Sequence, residues 1–180
     1  FSALFLLSVL GNYFMVSSGH FLVFYMGLEL STLPLAGMAV LGGSSFRRTG
    51  SGFKVLIHGM LATALMLFGF SLIYGACGTL YFSELIRIHM GSTMQVLGFF
   101  FFLAGMAYKI SIVPFHFLRG DITENSHESA ASYILVISTG TGILMLNILI
   151  YNLFPSIPEI WQKALFIMVV VAVTASNLVA

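Results

Sequence analysis

The sequence predicts an all-α membrane protein with about six transmembrane helices, and three observations carry that prediction. Of 180 residues, 59% are hydrophobic and 7% are charged. A soluble domain carries roughly 25% charged residues, so this chain has too little polar surface to cover itself in water. Its apolar runs are close to the ~20 residues that a spanning helix needs, and they are parted by short stretches rich in Gly, Ser, Pro or charge. The remaining classes lack their signatures. The net charge of +1 says nothing about nucleic acid, but there is no basic run, so no nucleic-acid partner is expected. Cys77 is the only cysteine, so no disulfide framework or cysteine-ligated cluster is available. There is no glycine-rich phosphate or dinucleotide motif, no Ser-His-Asp arrangement and no metal-ligand spacing. Any redox cofactor is expected elsewhere, and no signal peptide is expected.

The first run, Ser2 to Val16, is short for a span, and Ser17 to His20 turns the chain back. The second runs from Phe21 to about Leu41. Within it Glu29 stands about two turns into the membrane, and Pro34 denies the Leu30 carbonyl its helical donor. Gly42 to Gly52 reads as a loop holding Arg47 and Arg48. The third run is Phe53 to Ala76. It has Lys54 and His58 at i and i+4 near its entrance, with Gly59, Gly69 and Gly75 as places for close helix contact. Cys77 to Gln95 reads as a longer polar connection. The fourth run, Val96 to Phe117, contains Lys109, Pro114 and His116. On an unbroken helix Lys109 and His116 would share a face about 10.5 Å apart, but Pro114 should bend or break the helix between them. The fifth run, Ser129 to Leu153, carries Ser138, Thr139 and Thr141 near its middle. The sixth starts near Trp161, which with Lys163 reads as an interfacial anchor. Six alternating helices put the Arg47 and Arg119 loops on one side, cytoplasmic or matrix by the positive-inside rule.

Ionisable groups inside apolar spans are the only chemical signal. They are costly there and by default functional. Glu29 reads either as a neutral acid tied to a neighbouring helix or as a carboxylate that carries protons. Lys109 is too deep to reach the interface easily along its stem. Burial pushes a lysine towards its neutral form and a nearby carboxylate pulls it back. A lysine between those influences can change protonation when its partner moves, which requires Glu29 within reach of Lys109. Lys54 either reaches the membrane edge or joins a relay with His58. His116 either passes protons or caps the broken helix. Ser138 and Thr139 either line a hydrated path or bond back to the preceding turn. His20, His89 and His127 are expected to be solvated in loops.

At these residues the chain resembles a known family. Gly27-Leu28-Glu29-Leu30-Ser31-Thr32-Leu33-Pro34-Leu35, then Phe53-Lys54, then Lys109-Ile110-Ser111-Ile112-Val113-Pro114-Phe115-His116 are similar to the antiporter-like, proton-pumping membrane subunits of respiratory complex I. Leu67 to Leu80 fits the same family. The Lys-x-Ser-x-x-Pro-Phe-His form favours the branch called NADH dehydrogenase subunit 2, or subunit N in bacteria, over subunits 4 and 5. The resemblance implies inverted five-helix repeats, each with a broken helix. Residues 1–180 would then form one transmembrane domain: one such repeat with its Pro-broken helix, plus one further helix, matching helices four to nine of the family. The second repeat is largely missing. The resemblance assigns proton transfer to Glu29, Lys54, Lys109 and His116, with His58, Pro114, Ser138 and Thr139 in support. It departs from the family after His116, where Leu118, Gly120 and Thr123 replace Trp, Pro and Tyr and only Asp121 remains. It departs again at Ser138-Thr139, where the family often has Ser-Lys, so a central relay lysine is missing.

The expected function is therefore a contribution to proton translocation in the membrane arm of an NADH:ubiquinone oxidoreductase, with no redox site on this chain. NADH, FMN, iron–sulfur clusters and ubiquinone would bind elsewhere in the complex. Expected partners are other membrane-arm subunits, a second chain carrying the missing helices, and the phospholipid bilayer. The expected location is the mitochondrial inner membrane, or alternatively the bacterial plasma membrane. A stand-alone cation/proton antiporter and a scaffold that no longer pumps are the rival readings.

Overall fold

The computed structural model describes residues 1–40, 46–89, 91–112, 128–155 and 157–179. Its helices are α1 (Ser2–Val16), α2 (Phe21–Val40), α3 (Phe46–Cys77), the single turn α4 (Phe82–Leu85), α5 (Thr93–Ile110), α6 (Glu128–Tyr133), a π-helical turn (Ile134–Ser138), α7 (Thr139–Leu153) and α8 (Pro158–Val179). Five segments are long and apolar enough to cross a membrane, and α1 is a shorter apolar helix. Together they bear out the all-α membrane fold.

Glycines bring the helices together in pairs. A Cβ on Gly11 would overlap the backbone of Ser31, and one on Gly27 would lie 2.5 Å from the Met15 nitrogen, so α1 and α2 meet backbone to backbone. A Cβ on Gly69 would lie 2.7 Å from the Gly98 oxygen, which joins α3 to α5 in the same way. Of the three glycines expected to permit contact, Gly75 has nothing within 4 Å and Gly59 faces the Tyr108 ring. The seams hold an aromatic core. Phe21, Phe24, Phe70, Phe99, Phe102 and Phe154 are fully buried, with Phe21 and Phe70 centroids 4.4 Å apart and Phe99 and Phe154 centroids 4.8 Å apart.

The connection between α3 and α5 is more ordered than a polar loop. Leu85 is buried in the core. Phe21 N–H donates to Leu80 O at 3.1 Å and Phe82 N–H to Gly19 O at 2.9 Å. These bonds fix the α1–α2 turn and the α3–α5 connection at the same end of the bundle, as alternating spans require.

Several boundaries are corrected. The Gly42–Gly52 loop is already helical from Phe46, so Arg47 and Arg48 begin α3 and Lys54 sits on its third turn. Gly50 and Gly52 weaken a helix by only about 1 kcal/mol each, and no proline between Phe46 and Cys77 stops it. α2 continues through Pro34 as one helix. α5 does not run to Phe117 but ends at Ile110, before the proline. The fifth run is continuous but contains the π turn. Trp161 is 8% exposed and packs edge-on against Tyr151.

Candidate functional site

α5 starts with a capping box, in which the Ser92 hydroxyl accepts from Gln95 N–H while the Gln95 side chain accepts from Ser92 N–H. It stops in a Schellman motif. Ser111 takes the left-handed conformation at φ 61°, ψ 43°. Ser111 N–H then donates to Tyr108 O at 3.0 Å, and Ile112 N–H to Ala107 O at 2.9 Å. Lys109 therefore stands in the last turn, where the partial negative charge of the carbonyl end favours a cation.

The Lys109 side chain is 4% exposed. Its stem crosses Gly142 on α7, where a Cβ would come within 3.2 Å of Lys109 Cγ. Its Nζ donates to Ser31 Oγ at 2.6 Å. Ser31, also fully buried, gives its own hydroxyl proton to Leu28 O at 2.8 Å, which leaves the oxygen lone pairs for the lysine. A serine hydroxyl suits both forms of an amine. It accepts from an ammonium, and by rotating it can donate to a neutral amine.

Behind Ser31 lies a second polar layer. Asn12 Nδ2 donates to Tyr133 Oη at 3.1 Å, Tyr133 donates to Ser8 Oγ at 3.0 Å, and Ser8 donates to Ser31 O at 2.8 Å. Ser8, Asn12 and Tyr133 are all buried, and Asn12 Oδ1 has no hydrogen-bond partner among the described residues. A dry, orphaned acceptor costs about 1–3 kcal/mol.

The other expected site residues lie apart from this centre. Glu29 is half-buried and engages the Tyr25 phenol one turn earlier, which also meets Thr63. Ser31, which accepts from Lys109, is two positions beyond Glu29 along α2. Lys54 and His58 are exposed on α3, and His58 Nδ1 lies 2.8 Å from Lys54 O. Ser138 is buried, and Thr139 Oγ1 donates to Ile134 O at 2.8 Å across the π turn. Pro114 and His116 lie outside the described residues.

A buried lysine stands in the last turn of α5, with its stem against α7 and its ammonium against α2. Residues 18–180 match the family described as NADH:quinone oxidoreductase/Mrp antiporter, transmembrane. The chain belongs to that family. Within the NADH:quinone oxidoreductase/Mrp antiporter family it is 37% identical over 180 residues to NADH-quinone oxidoreductase subunit N of Phocaeicola vulgatus, covering 100% of this chain and 38% of that protein. It superposes with a TM-score of 0.83 and 26% identity on a chain of respiratory complex I from Thermus thermophilus with bound aureothin, covering 98% of this chain and 38% of that one. A chain of the membrane-bound sulfane sulfur reductase, an archaeal respiratory membrane complex, shares the fold at TM-score 0.83 and 22% identity, covering 92% and 34%. The chain thus spans well under half the length of each of these proteins.

Sequence reasoning missed Ser31 as the lysine's partner and missed Ser8, Asn12 and Tyr133 altogether. One signal was present: Ser8 and Asn12 are polar, four residues apart, in an otherwise apolar run, and so share one face of α1.

Proposed function

We propose that this chain is one antiporter-like repeat and one further helix of a membrane-arm subunit of an NADH-quinone oxidoreductase, and that it contributes to proton translocation. The observation that carries this reading is Lys109: a 4% exposed lysine at a helix end inside an apolar bundle, held by a hydroxyl that suits either protonation state. Quinone reduction elsewhere in the complex would alter the field around Glu29 and Lys109, and Lys109 would take up or release a proton through connected water. In this reading Glu29 biases the lysine from α2, while Lys54 and His116 exchange protons with it. His58, Pro114, Ser138 and Thr139 support the route. NADH, FMN, iron–sulfur clusters and quinone belong to other subunits. The remaining helices and the neighbouring membrane-arm subunits are its partners. The Phocaeicola vulgatus subunit N and the Thermus thermophilus chain are bacterial, which supports the bacterial plasma membrane over the mitochondrial inner membrane.

The test is Lys109→Met in the assembled complex, read as protons moved per NADH oxidised in sealed vesicles. The expected result is a lower ratio with the complex still assembled, and an unchanged ratio sinks the reading. One observation favours a second reading, a scaffold that no longer pumps: Thr139 occupies the position where the family often has a lysine, and its hydroxyl is bonded back to Ile134 O. An unchanged ratio in the Lys109 variant is the result which that reading expects.

A further inference from the structure

The layer behind Ser31 has one hydrogen-bonding direction. Ser8 has one hydroxyl proton, and Ser31 O, a carbonyl, can only accept it. Tyr133 must then donate to Ser8, and Asn12 must present its Nδ2, not its oxygen, to Tyr133. The order of donors fixes the amide orientation and leaves Asn12 Oδ1, on a side chain 94% buried (6% exposed), needing a donor that the chain does not supply among the described residues. The relay also ends on a backbone carbonyl, which cannot hand a proton on to its own residue's hydroxyl. It therefore cannot conduct to Lys109, and its effect is to hold the Ser31 backbone in place.

We propose that Asn12 Oδ1 binds an internal water molecule, and that this water, Asn12, Tyr133 and Ser8 form a positioning network that sets Ser31 Oγ beneath Lys109. Three helices meet there: Ser8 and Asn12 come from α1, Ser31 from α2 and Tyr133 from α6. The Gly11 crossing beside Ser31 brings α1 close enough for Ser8 to reach the α2 carbonyl. The positioning half of the proposal rests on the proton-translocation reading above, whereas the water site does not.

Two measurements on the assembled complex test it. A map of the membrane arm that resolves water should show density about 3 Å from Asn12 Oδ1. A dry site, or any protein side chain on that oxygen, whether from this protein or from another subunit, overturns the water. The second measurement is proton translocation in vesicles carrying Ser31→Ala, Ser31→Thr or Tyr133→Phe. Ser31→Ala and Tyr133→Phe should slow it about tenfold, the scale of losing a buried hydrogen bond to a retained polar partner. Ser31→Thr, which keeps the hydroxyl, should restore most of the rate. Equal loss in the alanine and threonine variants, or no loss in Tyr133→Phe, overturns the positioning role. If Lys109→Met itself leaves translocation unchanged, the pumping reading fails and the positioning role with it, while the water density is still decided by the map.

Discussion

Lys109 depends on a residue that has no side chain. Gly142 is the gap through which the lysine stem passes, and a branched residue there would have to displace Cγ, 3.2 Å from the position a Cβ would take. Gly142→Val should therefore move the ammonium off Ser31 and lower proton translocation on the order of tenfold or more, since displacements of about 1 Å at a reacting group can cost 100-fold. Gly140→Ala faces open space and should leave the rate unchanged in the same vesicle assay. At this scale the sequence was partly legible. A lysine inside an apolar run announces itself through the cost of burying charge. Its partner did not, because Ser31 is one hydroxyl among several on α2 and only tertiary packing selects it.

The elements show where local sequence rules were decisive and where packing overrode them. Pro114 correctly signals that the fourth run cannot stay helical, but the break comes three residues earlier at Ser111, whose left-handed conformation would normally call for glycine. Ser111→Gly should relieve about 1 kcal/mol of backbone strain and raise the thermal stability of the purified assembly. A lower melting temperature would show that the Ser111 side chain is needed in its own right. The start of α5 was legible and overlooked: Ser92 and Gln95 are a capping box in plain sequence. Ser92→Ala should cost about 0.5–2 kcal/mol, measured in the same melting experiment. The glycine crossings were legible only in part. Gly27 sits within a motif that drew attention to Glu29, yet its own contribution is the backbone contact with Met15. Gly27→Ala should cost about 1–3 kcal/mol through overpacking, seen as reduced assembly, while Gly75→Ala should assemble normally.

At the scale of the whole molecule, the alternation of apolar runs and breakers was enough to give the all-α membrane class, with five long apolar segments and the shorter α1 among the described residues. The aromatic core was not predictable residue by residue, because on helices apolar all round no stripe distinguishes the inward face from the lipid face. α8 shows the difference. Trp161 anchors it to the bundle, while Phe166, Ile167 and Leu178 point outwards, a surface for acyl chains or for further helices of the family fold.

The five-residue π turn from Ile134 to Ser138 has one last consequence. A turn of this kind accommodates one residue beyond the α-helical repeat, and each residue is worth about 100° of rotation. Tyr133 can thus look towards Asn12 while Gly142, on the same rod, looks towards Lys109. Deleting a single residue from this turn would swing one half of the rod against the other by about a quarter revolution, without shortening the span by more than a fraction of a turn. The protein so altered would still thread the bilayer, but its two polar contacts would be out of phase.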